Sequence, residues 1–234
     1  MNNANNGLFS LKPRLNCAAN MVRERSRIAD IGTDHAYLPI WLAKNGKIAH
    51  AIASDIRRGP YLSADNNIRT YGVSDIVEAR LGAGLETVKE NEVDDIIICG
   101  MGGELIAGIL GDCPFIKDSN LRLILQPMSH PEIVRRFLCE NGFELLCEQA
   151  VLDGGHYYTV MCAQYTAHNK QFDDAFYYIG LLTGKDNCEQ GYLNNIYKHT
   201  YNRYKGCSLS GDTENAAVLE EVCKAIKEAI DNNN

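Results

Sequence analysis

The chain has 234 residues, 45% of them hydrophobic and 23% charged, and a net charge of −7. That length can bury one full domain with an appendage, and the acidic balance argues against generic adhesion to nucleic acid or an anionic membrane. No apolar run is long enough to span a bilayer and the opening residues MNNANNGLFS lack a secretory hydrophobic region, so a cytoplasmic protein is expected. Nine cysteines, an odd number without a single C-x-x-C, indicate neither a disulfide framework nor a zinc site; most are expected in the core, and no metal is expected.

Leu11, Leu15, Ala18, Ala19 and Val22 have helical spacing, so residues 11–22 read as an N-terminal helix. The first 27 residues hold Lys12, Arg14, Arg23, Arg25 and Arg27 against Glu24 alone, a local charge of +4. This is either an arm that meets phosphates, with Arg14, Arg23 and Arg25 as the candidate contacts, or a solvated helix face. Next comes the most informative stretch, RIADIGTDHAYLP. Residues 28–31 read as a strand ending at Gly32. Pro39 is tolerated only in the first turn of a helix, which places the helix start between His35 and Leu38 and leaves Asp34 in the turn. Asp30, Asp34 and His35 then stand at the C-terminal end of a strand, the edge where open α/β sheets bind ligands. A pyrophosphate site needs G-x-G-x-x-G, and two carboxylates repel phosphate. They suit a ligand with a cationic amino acid end, a sulfonium and ribose hydroxyls, as in S-adenosylmethionine; the alternative is a turn whose aspartates are solvated or bind backbone amides.

The second strand, residues 48–54, ends in Asp55 and Ile56, where an acidic residue either accepts from ribose hydroxyls or caps the next helix, at residues 61–71. The third strand, 76–81, leads into Gly82-Ala83-Gly84, a backbone that admits a flat ligand such as adenine or simply turns tightly. The fourth, 96–99, is wholly apolar, as in a parallel sheet buried on both faces, and runs into Gly100-Met101-Gly102-Gly103, costly unless backbone must approach a ligand or take unusual angles. A fifth strand, 121–125, precedes Gln126-Pro127 and a helix over 131–141. Strands 143–151 and 156–165 form a hairpin around residues 152–155. The expected fold is therefore an α/β doubly wound sheet with a terminal antiparallel hairpin. From Thr166 strand signals cease. A helix around 172–182, a stripe through Leu193, Ile196, Tyr197, Tyr201 and Tyr204, and a stripe through Leu219, Val222, Cys223, Ile226 and Ile230 predict a small all-α appendage, its last two helices separated at 206–211. The tyrosines either stack on bases or form packing surface. Two units are expected, 1–165 and 166–234, with 231–234 frayed.

With these residues in view, Arg14-Leu15, the segment from Ala29 to Pro39, Ser54-Asp55, Leu81-Gly82-Ala83-Gly84-Leu85, Gly100-Met101-Gly102-Gly103, Gln126-Pro127 and Asp153-Gly154-Gly155-His156-Tyr157-Tyr158 together resemble the bacterial tRNA (adenine-22-N1)-methyltransferases, the TrmK family. The resemblance implies a Rossmann-like class I methyltransferase domain, S-adenosylmethionine as donor, tRNA as partner, no metal, and an appendage that helps grip tRNA. It implies Asp30, Gly32, Thr33 and Asp34 at the methionine end, Asp55 and Ile56 at the ribose, Gly82, Ala83 and Gly84 at the adenine, and Gly100 and Met101 near the methyl. Ala83 departs from the acidic or amide side chain many class I enzymes carry there, so backbone must serve the adenine amino group. Asp34 and His35 are the candidate catalytic pair: the first for charge or proton, the second, beside a helix N-terminus, as a neutral orienting partner. A monomer is expected. Two other functions fit the sequence, a non-catalytic RNA-binding module and a methyltransferase for a small molecule or protein.

Overall fold

The computed structural model describes residues 8–168 and 170–232, so most of the segment considered for secretion and the last two residues lie outside it. Helix α1 (Pro13–Met21) precedes β1 (Ser26–Ile31), α2 (Tyr37–Lys44), β2 (Ile48–Asp55), α3 (Arg58–Thr70), β3 (Val77–Leu81), β4 (Asp95–Gly102), α4 (Gly103–Gly111), β5 (Arg122–Ser129), α5 (Pro131–Glu140), β6 (Phe143–Asp153) and β7 (His156–Tyr165). Seven strands form one sheet in the order β3-β2-β1-β4-β5-β7-β6, parallel except where β7 joins β5 and β6. This is the class I methyltransferase fold, with its terminal antiparallel hairpin.

The strand pattern explains the layers. Ile28, Ala51, Ala53, Ile97 and Ile124 face the side covered by α1, α2 and α3, whereas Ala29, Ile31, Ile52, Ile96, Ile98, Leu123 and Leu125 face α4 and α5. Successive residues point to opposite faces, so both faces need apolar side chains and the inner strands read as continuous hydrophobic runs. Strand order reverses between β1 and β4, which opens a crevice at their C-terminal ends.

Several element boundaries differ from the sequence expectation. Strand β4 continues through Gly100-Met101-Gly102 with two register irregularities against β5 rather than stopping at Cys99, because glycines permit the bulged backbone while the ladder persists. Strand β5 likewise extends to Ser129. The hairpin is longer at its tip, pairing Asp153 with His156 around Gly154 and Gly155, both at positive φ, as a two-residue turn requires. Helix α4, rich in glycine, had no clear sequence delimiters.

The C-terminal part is helical: α6 (Asp174–Ile179), α7 (Asn187–Ser210) and α8 (Thr213–Asp231). Helix α7 passes through Gly206 without a break and ends at Gly211, whose φ of 79° makes the left-handed cap. One interior glycine costs a helix only about 1 kcal/mol, less than packing along α8 returns. Tyr192, Leu193, Val222 and Ile226 form a separate small core with Leu182 and, from β6, Ala150.

A buried ion pair fastens this unit to the sheet. Arg135 of α5 is fully buried and donates to Glu148 Oε1 at 2.7 Å, to the Tyr177 and Tyr178 carbonyls at 2.7 and 2.9 Å, and to the Tyr192 hydroxyl at 3.1 Å. Glu148 in turn accepts from Thr159 Oγ1 and the Leu181 amide. A buried pair of this kind is strongly destabilised when one partner is removed. Arg135→Met is expected to lower unfolding free energy by about 3–5 kcal/mol, while Arg136→Ala, which breaks an exposed pair with Asp174, changes it by about 1 kcal/mol or less. Denaturant titration checks both, and equal losses would remove the latch role.

Candidate active site

The crevice between β1 and β4 contains a cavity of about 650 Å³. Asp30, Gly32, Thr33, Asp34 and His35 line it from the β1–α2 turn, Cys99 and Gly100 from β4, and Arg14 from α1. The turn is built from left-handed positions: Gly32 has φ 74°, Asp34 53° and Ala36 57°. Such angles cost about 1–3 kcal/mol each outside glycine, and three contacts hold them. The Gly32 and Thr33 amides both donate to the Ser54 carbonyl, at 2.8 and 2.9 Å, and Asn67 of α3 donates to the His35 carbonyl at 3.0 Å. Asp34 is thus lifted away from the sheet, its side chain 60% exposed, with His35 Nε2 at 3.6 Å and Arg57 Nη2 at 4.0 Å.

Asp30 is the opposite case. It is 5% exposed and accepts a 2.6 Å hydrogen bond from Thr33 Oγ1, and among the described residues no cation pairs with it. Burial pushes its carboxyl up to about 6, the Thr33 hydrogen bond opposes this, and the nearby Asp55 carboxylate adds to it. Asp55 is also buried. Its Oδ1 accepts from the Arg57 amide at 2.8 Å and from Arg57 Nε at 3.4 Å, while Oδ2 has no hydrogen bond among the described residues. Beside it Ile56, an apolar side chain, is 66% exposed among the described residues.

On the β4 side, buried Gln126 accepts through Oε1 from the Gly100 amide and from Arg14 Nη1, both at 3.2 Å. Arg14 Nε also lies 3.1 Å from Asp153 Oδ2. This fixes the arginine over Gly100, whose φ of 82° suits glycine. Met101 places its methyl end against Gly32, where a Cβ would collide with it. Burial, with Asp30 nearby, pushes the Cys99 thiol well above its ordinary range, so it is no nucleophile.

The structure gathers Arg14, Asp30, Gly32, Thr33, Asp34, His35 and Gly100 around one cavity, with Asp55, Ile56 and Met101 beside it. Gly82 adjoins this group, its amide donating to the Asp55 carbonyl at 3.1 Å. Gly82 and Gly84 also meet local packing: a Cβ on Gly82 would meet Thr87 Cγ2 at 2.5 Å, and Gly84, at φ 50°, lies under Ile109. Together with Ala83 they lead into the 3₁₀ turn Gly84–Thr87, and Ala83 and Gly84 line a smaller cavity of about 320 Å³. The basic stretch also divides. Arg23 donates to the Asp95 carboxylate at 2.6 Å and to the Asp94 carbonyl, at the N-terminal end of β4, and Arg25, whose amide donates to Lys47, is at that same edge. Both are across the sheet from the cavity, so only Arg14 of the three arginines reaches it. Sequence reasoning missed Phe9, Tyr37 and Tyr71, which pack edge to face and line the cavity, and Arg57. No spacing rule joins Phe9 to Tyr71. Among the described residues no cluster suits a metal ion and no helix is long and apolar enough to cross a membrane.

A folded-state value near 6 against an ordinary 3.8 means that ionised Asp30 destabilises the unliganded protein. The cost is absent below about 3.8, grows as pH rises to about 6, and above that is full, on the order of 3 kcal/mol. Asp30→Asn is expected to be more stable than the wild type at pH 7–8, with the difference closing as pH falls from 6 to 4. Thermal unfolding at several pH values checks this; a constant difference would mean that Asp30 has its ordinary acidity.

Comparison with known proteins agrees with this geometry. A sequence profile described as a methyltransferase domain matches residues 11–161. The tRNA (adenine(22)-N(1))-methyltransferase of Bacillus subtilis is 34% identical over 95% of this chain and 98% of its own. The crystal structure of the B. subtilis M1A22 tRNA methyltransferase TrmK superposes with a TM-score of 0.84 at 32% identity, covering 94% of this chain and 99% of that one. A putative tRNA (m1A22) methyltransferase of Streptococcus pneumoniae, solved in complex with S-adenosyl-L-methionine, superposes with a TM-score of 0.75 at 30% identity over 93% and 98% of the two chains. The chain belongs to the TrmK family of tRNA (adenine-22-N1)-methyltransferases.

Proposed function

We propose that this protein transfers a methyl group from S-adenosylmethionine to N1 of adenine 22 in tRNA, with residues 1–165 as the catalytic unit and 166–234 as the unit that grips the RNA. The observation that carries the reading is the pair of buried carboxylates, Asp30 and Asp55, at the switch point of the sheet, with no cation among the described residues to neutralise Asp30. Buried charge is retained where a ligand compensates it. The donor's amino acid end is cationic and its ribose offers two hydroxyls. Asp30, with the turn at Gly32 and Thr33, would hold the first; Asp55 Oδ2 would accept from the second; exposed Ile56 would cover apolar ligand surface. The donor supplies an electrophilic methyl on a sulfonium.

The chain's remaining task is to hold an adenine. Its N1 lies on the Watson–Crick edge, hidden while the base is paired, so the target must be unpaired or flipped out. N1 has a lone pair and needs no prior deprotonation, which leaves positioning as the main source of rate. Methylation makes the ring cationic. Asp34, exposed on its raised turn, can balance that charge or accept a proton from the N6 amino group, and His35 stands beside it to orient the base. Arg14, fixed over Gly100, and Lys12 give the cavity rim positive charge for the RNA backbone.

Incubation of the protein with labelled donor and tRNA, followed by mass spectrometry of the nucleosides, tests the reading: 1-methyladenosine is expected, and methylation on another nucleoside or none would refute it. Asp55→Ala is expected to weaken donor binding by about 1–3 kcal/mol, the cost of ribose hydroxyls left without an acceptor; wild-type affinity by calorimetry would reduce Asp55 to a helix cap. Asp34→Asn keeps shape and loses charge. Its single-turnover rate is expected to fall about 100-fold or more with donor affinity nearly intact. The reverse pattern, weak donor binding with chemistry preserved at saturation, would make Asp34 a donor ligand.

A further inference from the structure

A second cavity, about 620 Å³, lies between the sheet and α7 and has no part in the chemistry described above. Its walls come from four places: the end of β5 and its turn into α5, the start of β7 at Tyr157 and Tyr158, Tyr178 of α6, and the inner face of α7. The latch at Arg135 ties α5 to α6, β6 and α7, and Thr159 adds β7 through Glu148.

The chemistry of the lining is specific. Tyr158 and Tyr178 supply aromatic surface, and Met128 and Ile196 apolar surface. Glu132 pairs with Arg203 Nη1 at 3.8 Å and lies 3.2 Å from His130 Nδ1, and Arg203 is steadied by the Tyr178 hydroxyl at 3.1 Å. By contrast, the side chains of Asn195, His199 and Asn202 border the cavity without a hydrogen bond among the described residues. Rings for stacking, with amides and an imidazole for base edges, together fit a nucleobase better than an aliphatic group, and the one guanidinium of the lining is already engaged by Glu132 and Tyr178.

Position supports the same occupant. Strand β5 runs from Gln126, which holds Gly100 and Arg14 at the methyl-transfer cavity, to Ser129 and His130 at this one, a path of about 10 Å at strand rise. Taking an adenine out of its stack leaves another base without its pairing or stacking partner. We propose that this cavity receives that second nucleobase of the substrate tRNA, so that the enzyme binds the vacated partner as well as the target. The proposal rests on the tRNA methyltransferase reading.

A chemical double-mutant cycle tests it, with the full-length protein and tRNA transcripts in which each nucleotide near the target, in turn, lacks its base. Tyr158→Ala and, separately, His199→Ala are expected to raise KM for intact tRNA about tenfold or more, while calorimetric affinity for S-adenosylmethionine stays at the wild-type value. Tyr158→Phe, which keeps the ring, is expected to behave as wild type. At one abasic position the wild type should show the same rise in KM, and the Tyr158→Ala and His199→Ala proteins should show no further rise there. Unchanged KM in both alanine variants, or losses that multiply at every abasic position, would overturn the proposal. A wild-type protein that methylates no tRNA would instead overturn the functional reading on which it rests.

Discussion

An ionised carboxylate buried at the end of β1 is the constraint around which the ligand edge is arranged. Asp30 keeps its charge at neutral pH although burial raises its carboxyl to about 6, and the only side chain that hydrogen-bonds it among the described residues is Thr33, three residues on. Stability alone would favour an apolar residue there, since the neighbouring positions on β1 are alanine and isoleucine. The strained turn from Gly32 to Ala36 follows from the same requirement. It brings the Thr33 hydroxyl back onto Asp30 and raises Asp34 into the open, so one short segment presents one buried and one exposed carboxylate, the two that the proposed reaction assigns to the methyl donor and to the base. The difference between the two aspartates lies in burial rather than in residue type.

The second constraint is the Arg135–Glu148 pair. A guanidinium with no solvent contact has to satisfy its donors from protein, and here they are shared among β6, α6 and α7. The helical unit is thereby held against the sheet edge rather than tethered to it, and the cavity between them has fixed walls. An acidic protein that acts on RNA gains from such an arrangement, because recognition through stacking and base edges does not depend on a large positive surface.

Much of this was legible in the sequence, and the reasons for the remainder are specific. The β1–α2 turn could be read because its determinants are local: an apolar run, a glycine, and a proline confined to the first helical turn. The doubly wound sheet with its antiparallel end could be expected from alternating β and α patterns followed by a hairpin. The glycines were harder. Gly103 stands in a run read as a ligand approach, yet a Cβ there would strike the His130 carbonyl, a neighbour 27 positions away that no local pattern reveals. Gly82 similarly makes room for Thr87. Arg23 and Arg14 look alike in a basic segment, but α1 carries the chain from one edge of the sheet to the other between them, and only the fold assigns them to opposite ends. Arg135, on an amphipathic helix, looks like a surface charge until Glu148 and three tyrosines close over it.

The account stands most directly on where the donor lies. A crystal structure of the protein with S-adenosylmethionine is predicted to place the amino acid end over Asp30 and the Gly32–Thr33 turn, the ribose on Asp55, and the methyl toward the cavity that Asp34, Arg14 and Gly100 line. A donor bound elsewhere, or one whose methyl points away from that cavity with Asp30 left unpaired, would contradict it.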